Sequence, residues 1–140
     1  MNLDLKHLDG ACHCGAVRFT VSLTDGLKTA RRCTCSFCRM RGAVAVSAPL
    51  GGVRITNGEE AVASYRFNTG IAQHFFCSRC GIYTHHQRRS NPNEYGVNVA
   101  CLGISPFDFA DIAVMDGENH PADTGVSRPA GILRFERSAG

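Results

Sequence analysis

Cys12-His13-Cys14-Gly15-Ala16-Val17-Arg18-Phe19-Thr20-Val21 decides the fold, because two thiols one residue apart end on a glycine and lead into strict alternation. Val17, Phe19 and Val21 fall on one face and Arg18 and Thr20 on the other, the pattern of a half-buried strand over Ala16 to Val21. The Cys-x-Cys-Gly run suits a zinc knuckle: glycine relieves the backbone where the chain turns beneath a metal, and amide N–H groups can approach the sulfurs. Its counterpart is Cys77-Ser78-Arg79-Cys80-Gly81. Two knuckles make one tetrahedral site. Cys12, Cys14, Cys77 and Cys80 are therefore grouped as a closed structural zinc site that clips the N-terminal strand to a distant segment and contributes directly to folding.

Composition narrows the class. The chain has 140 residues, 44% hydrophobic and 19% charged, with a formal net charge of +3. This fits a single domain over residues 1–140 with a real core. No stretch approaches the roughly 18 consecutive apolar residues of a membrane helix, so no membrane partner is expected. Met1 to Gly10 lacks the apolar core of a secretory signal, which places the chain in the cytoplasm. Eight cysteines in a reducing compartment fit metal better than disulfides. A thioredoxin-type pair wants a βαβ context, and an iron–sulfur cluster a different spacing.

Turn dipeptides Asp25-Gly26, Asn57-Gly58 and Asp116-Gly117 separate segments rich in β-branched and aromatic residues, an all-β texture. Further strands are expected at Ala43–Val46, Val53–Thr56, Ala61–Phe67, His74–Phe76 and Tyr95–Cys101. A helical turn is expected over Pro106–Ala113, capped by Ser105. Within the tail 131–140, Ile132–Phe135 reads as a last edge strand.

Cys33, Cys35 and Cys38 form a different group: three thiols within six residues and no fourth nearby. Three protein ligands leave a coordination position open, the property that separates catalytic from structural zinc. Closure by Cys101, His13, His74, His85 or His86 is the alternative. Cys101 shares a face with Tyr95, Val97 and Val99 and reads as a buried, inert thiol. His85 and His86 are adjacent and on a strand point to opposite faces. Arg31, Arg32, Arg39 and Arg41 bracket the cysteines, in a chain with 13 arginines and two lysines. Their planar forks suit carboxylates or phosphates, and Arg39 and Arg41 are the expected contacts to a substrate carboxylate. Arg88-Arg89 lie in a polar run from His85 to Glu94 that reads as an exposed lip.

Three segments, CHCGAVRF at Cys12–Phe19, CTCSFCRMRGA at Cys33–Ala43 and FCSRCG at Phe76–Gly81, resemble the glutathione-dependent formaldehyde-activating enzyme family, whose domain also occurs in centromere protein V. The similarity spans roughly residues 8–123. Met40 stands where a lysine often follows the arginine, and the tryptophan usual after Gly42-Ala43 is missing. The resemblance implies a mainly β, β-tent fold of small antiparallel sheets organised around two zinc ions. Cys12, Cys14, Cys77 and Cys80 match its structural motif, and Cys33, Cys35 and Cys38 its catalytic one. It implies condensation of formaldehyde with glutathione to S-hydroxymethylglutathione, the activity of a carbon–sulfur lyase. Independently of the resemblance, His74, His85, His86 and Tyr83 are the candidates to donate a proton to the developing alkoxide. The expected partners are a small thiol and an aldehyde. A non-catalytic zinc module for protein or nucleic acid is the alternative, although +3 is modest for a nucleic-acid binder. A related enzyme acting on another thiol adduct is the other.

Overall fold

The computed structural model describes residues 1–67 and 69–140. Its strands are β1 (His7–Ala11), β2 (Arg18–Ser22), β3 (Arg31–Cys33), β4 (Ala45–Pro49), β5 (Val53–Asn57), β6 (Val62–Tyr65), β7 (Gln73–Cys77), β8 (Tyr83–Gln87), β9 (Glu94–Asn98), β10 (Asp111–Met115) and β11 (Pro129–Arg134). Two short helices are α1 (Ser36–Arg41) and α2 (Pro121–Thr124). The fold is mainly β.

β1, β2 and β5 form one antiparallel sheet in the order β1-β2-β5. The other strands run in the order β11-β10-β3-β4-β9-β8-β7-β6. That ribbon divides in the middle, because β3 and β4 meet at a single residue pair, Arg31 with Ala45. On one side, β4, β9, β8, β7 and β6 are antiparallel neighbours. On the other, β3 pairs in parallel with β10, whose far edge takes β11 antiparallel.

Alternation builds the core. Phe19 and Val21 are buried on β2 while Arg18 and Thr20 are exposed, and Val17 before them is fully buried. They join one apolar cluster with Val46 and Ala48 of β4 and Val97 of β9. Cys12 and Cys77 belong to it as well, so the first cysteine group sits at its margin. No described helix is long and apolar enough to cross a membrane.

Several expected boundaries move. The strand expected at Tyr95–Cys101 ends at Asn98, whose side-chain oxygen accepts from the N–H of Ala100 at 3.2 Å and caps a 3₁₀ turn, Val99–Leu102. Cys101 is buried within that turn and donates to the Tyr83 carbonyl at 3.4 Å. It does not extend the strand face. The helical turn after Pro106 stops at Asp108, capped by Ser105 as expected, and 111–115 is a strand. Pairing with β3 and β11 outweighs the weak helical pattern. The polar run from His85 is β-structure as far as Gln87. Residues 36–41 form a helix too short to show a period.

Gly58 holds the first sheet against the first knuckle. Its φ is +79°, and a Cβ there would lie 1.8 Å from the carbonyl oxygen of Ala16. Gly51, with φ +84°, has open space around the same position. Gly58→Ala should therefore cost more than about 3 kcal/mol, against about 1 kcal/mol for Gly51→Ala. Urea denaturation of both variants checks this.

Candidate active site

The first cysteine group is built from two similar turns. The N–H of Cys12 donates to the Val17 carbonyl and that of Gly15 back to Cys12; the N–H of Cys77 donates to Ile82 and that of Gly81 back to Cys77. Gly15 and Gly81 both have φ of +78°, a conformation glycine adopts without the Cβ penalty. The four sulfurs lie within 4.8 Å of one another. Cys14 Sγ is 3.7 Å from Cys12 Sγ and 3.8 Å from Cys77 Sγ. A tetrahedron with zinc–sulfur bonds of about 2.3 Å has edges of about 3.8 Å, so the donor set fits a four-coordinate thiolate site. Val17 N–H donates to Cys12 Sγ at 3.3 Å, and Arg79 N–H to Cys77 Sγ at 3.4 Å. The N–H groups of Cys14 and Ile82 hold the Cys80 thiol down to about 6.

The second group lies where β3 turns into α1. Cys33, Cys35 and Cys38 bring three sulfurs within 4.8 Å, and no other His, Cys, Asp or Glu among the described residues joins them. None of the proposed fourth ligands, Cys101, His13, His74, His85 or His86, is in that group. Cys35 is the N-cap of α1: its sulfur accepts from the Cys38 N–H at 3.3 Å, while its own N–H donates to Cys33 Sγ at 3.4 Å. Bonds from Cys33 and Cys38 hold the Cys35 thiol down to about 2. The same neighbours, Cys33 first, drive Cys38 strongly up. Three sulfurs this close do not all ionise without a cation among them, so the donor set fits a metal with one position left over.

Arg41 braces this cluster. It donates to Cys38 Sγ at 3.7 Å and to His74 Nδ1 at 2.9 Å, and its guanidinium lies 3.8 Å from the centre of the Tyr83 ring and 4.8 Å from that of Phe37. Expected as a carboxylate contact, Arg41 instead faces inward. Arginine has no acceptor to offer, so His74 Nδ1 must accept and Nε2 carries the hydrogen of the neutral ring. Burial first, then Arg41, lowers His74 to about 4. Its Nε2 has no protein partner. His74 and His86 both line the cleft beside the cluster. Tyr83 is buried behind them, its hydroxyl 2.6 Å from His86 Nδ1. His85 points the other way and stacks on Phe75.

The cleft encloses about 790 Å³ and is lined by Cys33, Cys35, Cys38 and six arginines: Arg31, Arg32, Arg39, Arg41, Arg88 and Arg89. Arg39 is exposed and stands 3.9 Å from Glu118. Arg88 and Arg89 are half-buried and pair with Glu94 and Asp123, so the expected lip is tied down at both arginines. Burial, with Arg88 adding to it, pushes the Arg31 guanidinium down to about 10. Met40 is 89% exposed, on the outside of α1, and does not line the cleft.

Sequence reading missed the far wall. Asp116, Gly117, Glu118, His120 and Asp123 all line the cleft. β10 delivers them there by placing Met115 opposite Cys33, and the Gly117 N–H then donates to Thr34 Oγ1 at 2.9 Å. A Cβ on Gly117 would lie 2.3 Å from Cys33 Sγ. The Asp116-Gly117 dipeptide signals a turn, and nothing in it signals the sulfur it covers.

The sequence model of a family described as glutathione-dependent formaldehyde-activating enzyme matches residues 7–111, stopping at the start of β10. A curated relative from Halomonas elongata, provisionally named as an enzyme of that kind, is 36% identical over 81 residues, 52% of this chain and 51% of the relative. The chain thus spans about half the length of that relative. The crystal structure of a Rhodobacter sphaeroides protein is 55% identical, with a TM-score of 0.75 over 76% of this chain and 99% of the other.

Two predictions follow from the geometry. Cys77→Ser should lower the thermal midpoint by 10 °C or more, on the order of what losing a structural metal costs, whereas Cys35→Ser should stay within a few degrees of the parent. Calorimetry of the two, side by side, separates closed from open; equal midpoints contradict the division. The second concerns pH. Burial holds His74 and His85 to about 4 and His86 well below its ordinary value. Below about pH 6.5 the unfolded chain takes up protons that the folded chain refuses, so stability should fall as pH drops from 6.5 toward 4. His85→Gln, on the side away from the thiols, should flatten that slope by up to about 1.4 kcal/mol per pH unit. Urea titrations between pH 7 and pH 5 measure it.

Proposed function

Because the chain belongs to the glutathione-dependent formaldehyde-activating enzyme family, we propose that it joins glutathione to formaldehyde as a carbon–sulfur lyase working in the bond-forming direction, in the reducing cytoplasm. The observation that carries this reading is the three-sulfur cluster opening onto a cleft lined by arginines. Cys12, Cys14, Cys77 and Cys80 hold a structural zinc in this reading, and Cys33, Cys35 and Cys38 hold a second one. The second zinc would supply an open coordination position and the Lewis acidity that keeps a bound thiol ionised at neutral pH.

The chain's own residues do the rest. Arg41 donates to Cys38 Sγ and tempers the charge gathered by three thiolates. The cleft walls hold the peptide thiol so that its sulfur and the aldehyde carbon approach within the cavity. The sulfur lone pair forms the new carbon–sulfur bond while the carbonyl π pair moves to oxygen. That oxygen takes up one proton, balancing the one the thiol loses on ionising, and gives S-hydroxymethylglutathione with no redox change. His74 is assigned as the donor facing the developing alkoxide, since its Nε2 hydrogen has no acceptor in the protein. Being neutral, it stabilises by hydrogen bonding without adding charge. His86 and Tyr83 stand behind it, and His85 lies on the opposite side of the sheet. The arginines line a concave space of small-molecule size, which favours an anionic small substrate over a nucleic-acid surface.

Native mass spectrometry of the reduced, zinc-loaded protein should show two metals and a saturable glutathione adduct. Cys35→Ser should lose the adduct, and formaldehyde consumption in the presence of glutathione should fall at least about 100-fold. An adduct unchanged in Cys35→Ser contradicts the proposal.

A further inference from the structure

Five of the six cleft arginines face partners or positions that account for them more completely than those of the sixth do. Arg39, Arg88 and Arg89 each have a carboxylate, and Arg41 is wedged between His74, Cys38 and two aromatic rings. Arg32 also lacks a carboxylate partner among the described residues, but by strand alternation it leaves the face of β3 opposite to Cys33. Arg31 shares the Cys33 face and is held there by hydrogen bonds. It has no carboxylate partner among the described residues, and the acceptors around it are all neutral: Thr29 O at 3.1 Å, Ala45 O at 3.4 Å and Ser47 Oγ at 2.9 Å, each receiving from Nη1. Its Nη2 edge carries no protein partner among the described residues. A guanidinium withdrawn from water and held by neutral acceptors alone is short of an anion. Arg88 beside it brings a second positive charge, and the one carboxylate at hand, Glu94, is already bonded to Arg88.

We infer that Arg31 is the receptor for the C-terminal carboxylate of the thiol substrate, which docks on its free Nη2 edge while the sulfur enters the Cys33–Cys38 cluster. Arg31 and Cys33 are two residues apart on β3, so both leave the same face of the strand about 7 Å apart, and both line the cleft. With both side chains on one wall of the cleft, a thiol that also carries a carboxylate can engage the two at once, and the glycyl carboxylate of glutathione, one residue from the thiol, is such a group. The γ-glutamyl carboxylate fits less well, since the ammonium next to it would face Arg31 and Arg88. Ser47 and the Ala45 carbonyl fix the guanidinium plane, so Arg31 meets its ligand pre-oriented. The subsite thus selects carboxylate-bearing thiols over neutral ones.

The inference rests on the thiol chemistry proposed above, and its test is chosen to be independent of turnover. S-Methylglutathione keeps both carboxylates and has no reactive thiol; its glycine amide lacks one negative charge. Calorimetric titration of the unaltered zinc-loaded protein should give at least about tenfold tighter binding of the acid than of the amide. Arg31→Gln should bring the two affinities together, and Arg31→Lys should restore part of the preference, with metal content and thermal midpoint checked for each variant. No preference for the acid in the unaltered protein overturns the inference, as does a full preference surviving in folded Arg31→Gln. If the preference tracks Arg31 but no formaldehyde is consumed, the subsite stands and the reaction falls. If formaldehyde is consumed without the preference, the subsite alone falls.

Discussion

Four sulfurs from two distant segments share a space in which neighbouring atoms are 3.7 and 3.8 Å apart, and the architecture depends on keeping them there. The first pair ends β1, in the sheet with β2 and β5; the second ends β7, in the strand group that reaches β4 through β8 and β9. One apolar cluster also joins the two groups, with Phe19 and Val21 of β2 beside Val46 and Ala48 of β4, and the sulfurs lie at its margin. The turns around the sulfurs are made for the purpose: each bonds its backbone into a tight loop, places a glycine at positive φ and aims N–H groups at sulfur. A cation at the centre would remove the repulsion among thiolates and convert proximity into stability.

Fixing that clip positions the second group without constraining its chemistry. Cys33 ends β3, Cys35 caps α1 and Cys38 lies in its first turn, so three sulfurs converge through local geometry alone. The wall across from them comes from β10 and the loop after it, beyond the region matched by the family. Gly117 is seated against Cys33 Sγ, and Asp123 reaches Arg89 on the opposite lip. The family core therefore supplies the sulfurs, and the C-terminal segment shapes the space before them.

Local patterns were legible in the sequence, and contacts between distant segments were not. The alternation at Val17–Val21 and the cysteine spacings carry their meaning within a few residues, so the β class and both sulfur groups could be read directly. β3, with only Arg31–Cys33, is too short for a pattern, and β10 was masked by the better-capped turn before it. Arg41 and Arg31 show why residue type gives less than environment. Both flank the cysteines, yet one is packed onto Tyr83 and His74 while the other keeps an edge toward the cleft. That difference arises from strand register and from β8 and β4 lying behind them. Gly117 and Asp123 reach the site only because β10 runs parallel to β3, a pairing between residues more than 80 positions apart.

In the proposed function the two sulfur groups hold metal differently, one closed by four cysteines and one open with three. Zinc-edge X-ray absorption of the loaded protein, recorded before and after glutathione, tests it most directly. One closed and one open site should give an average of about 3.5 sulfurs per zinc, rising to about 4 as the thiol fills the open position. An average that starts at 4, or that does not change with glutathione, would contradict it.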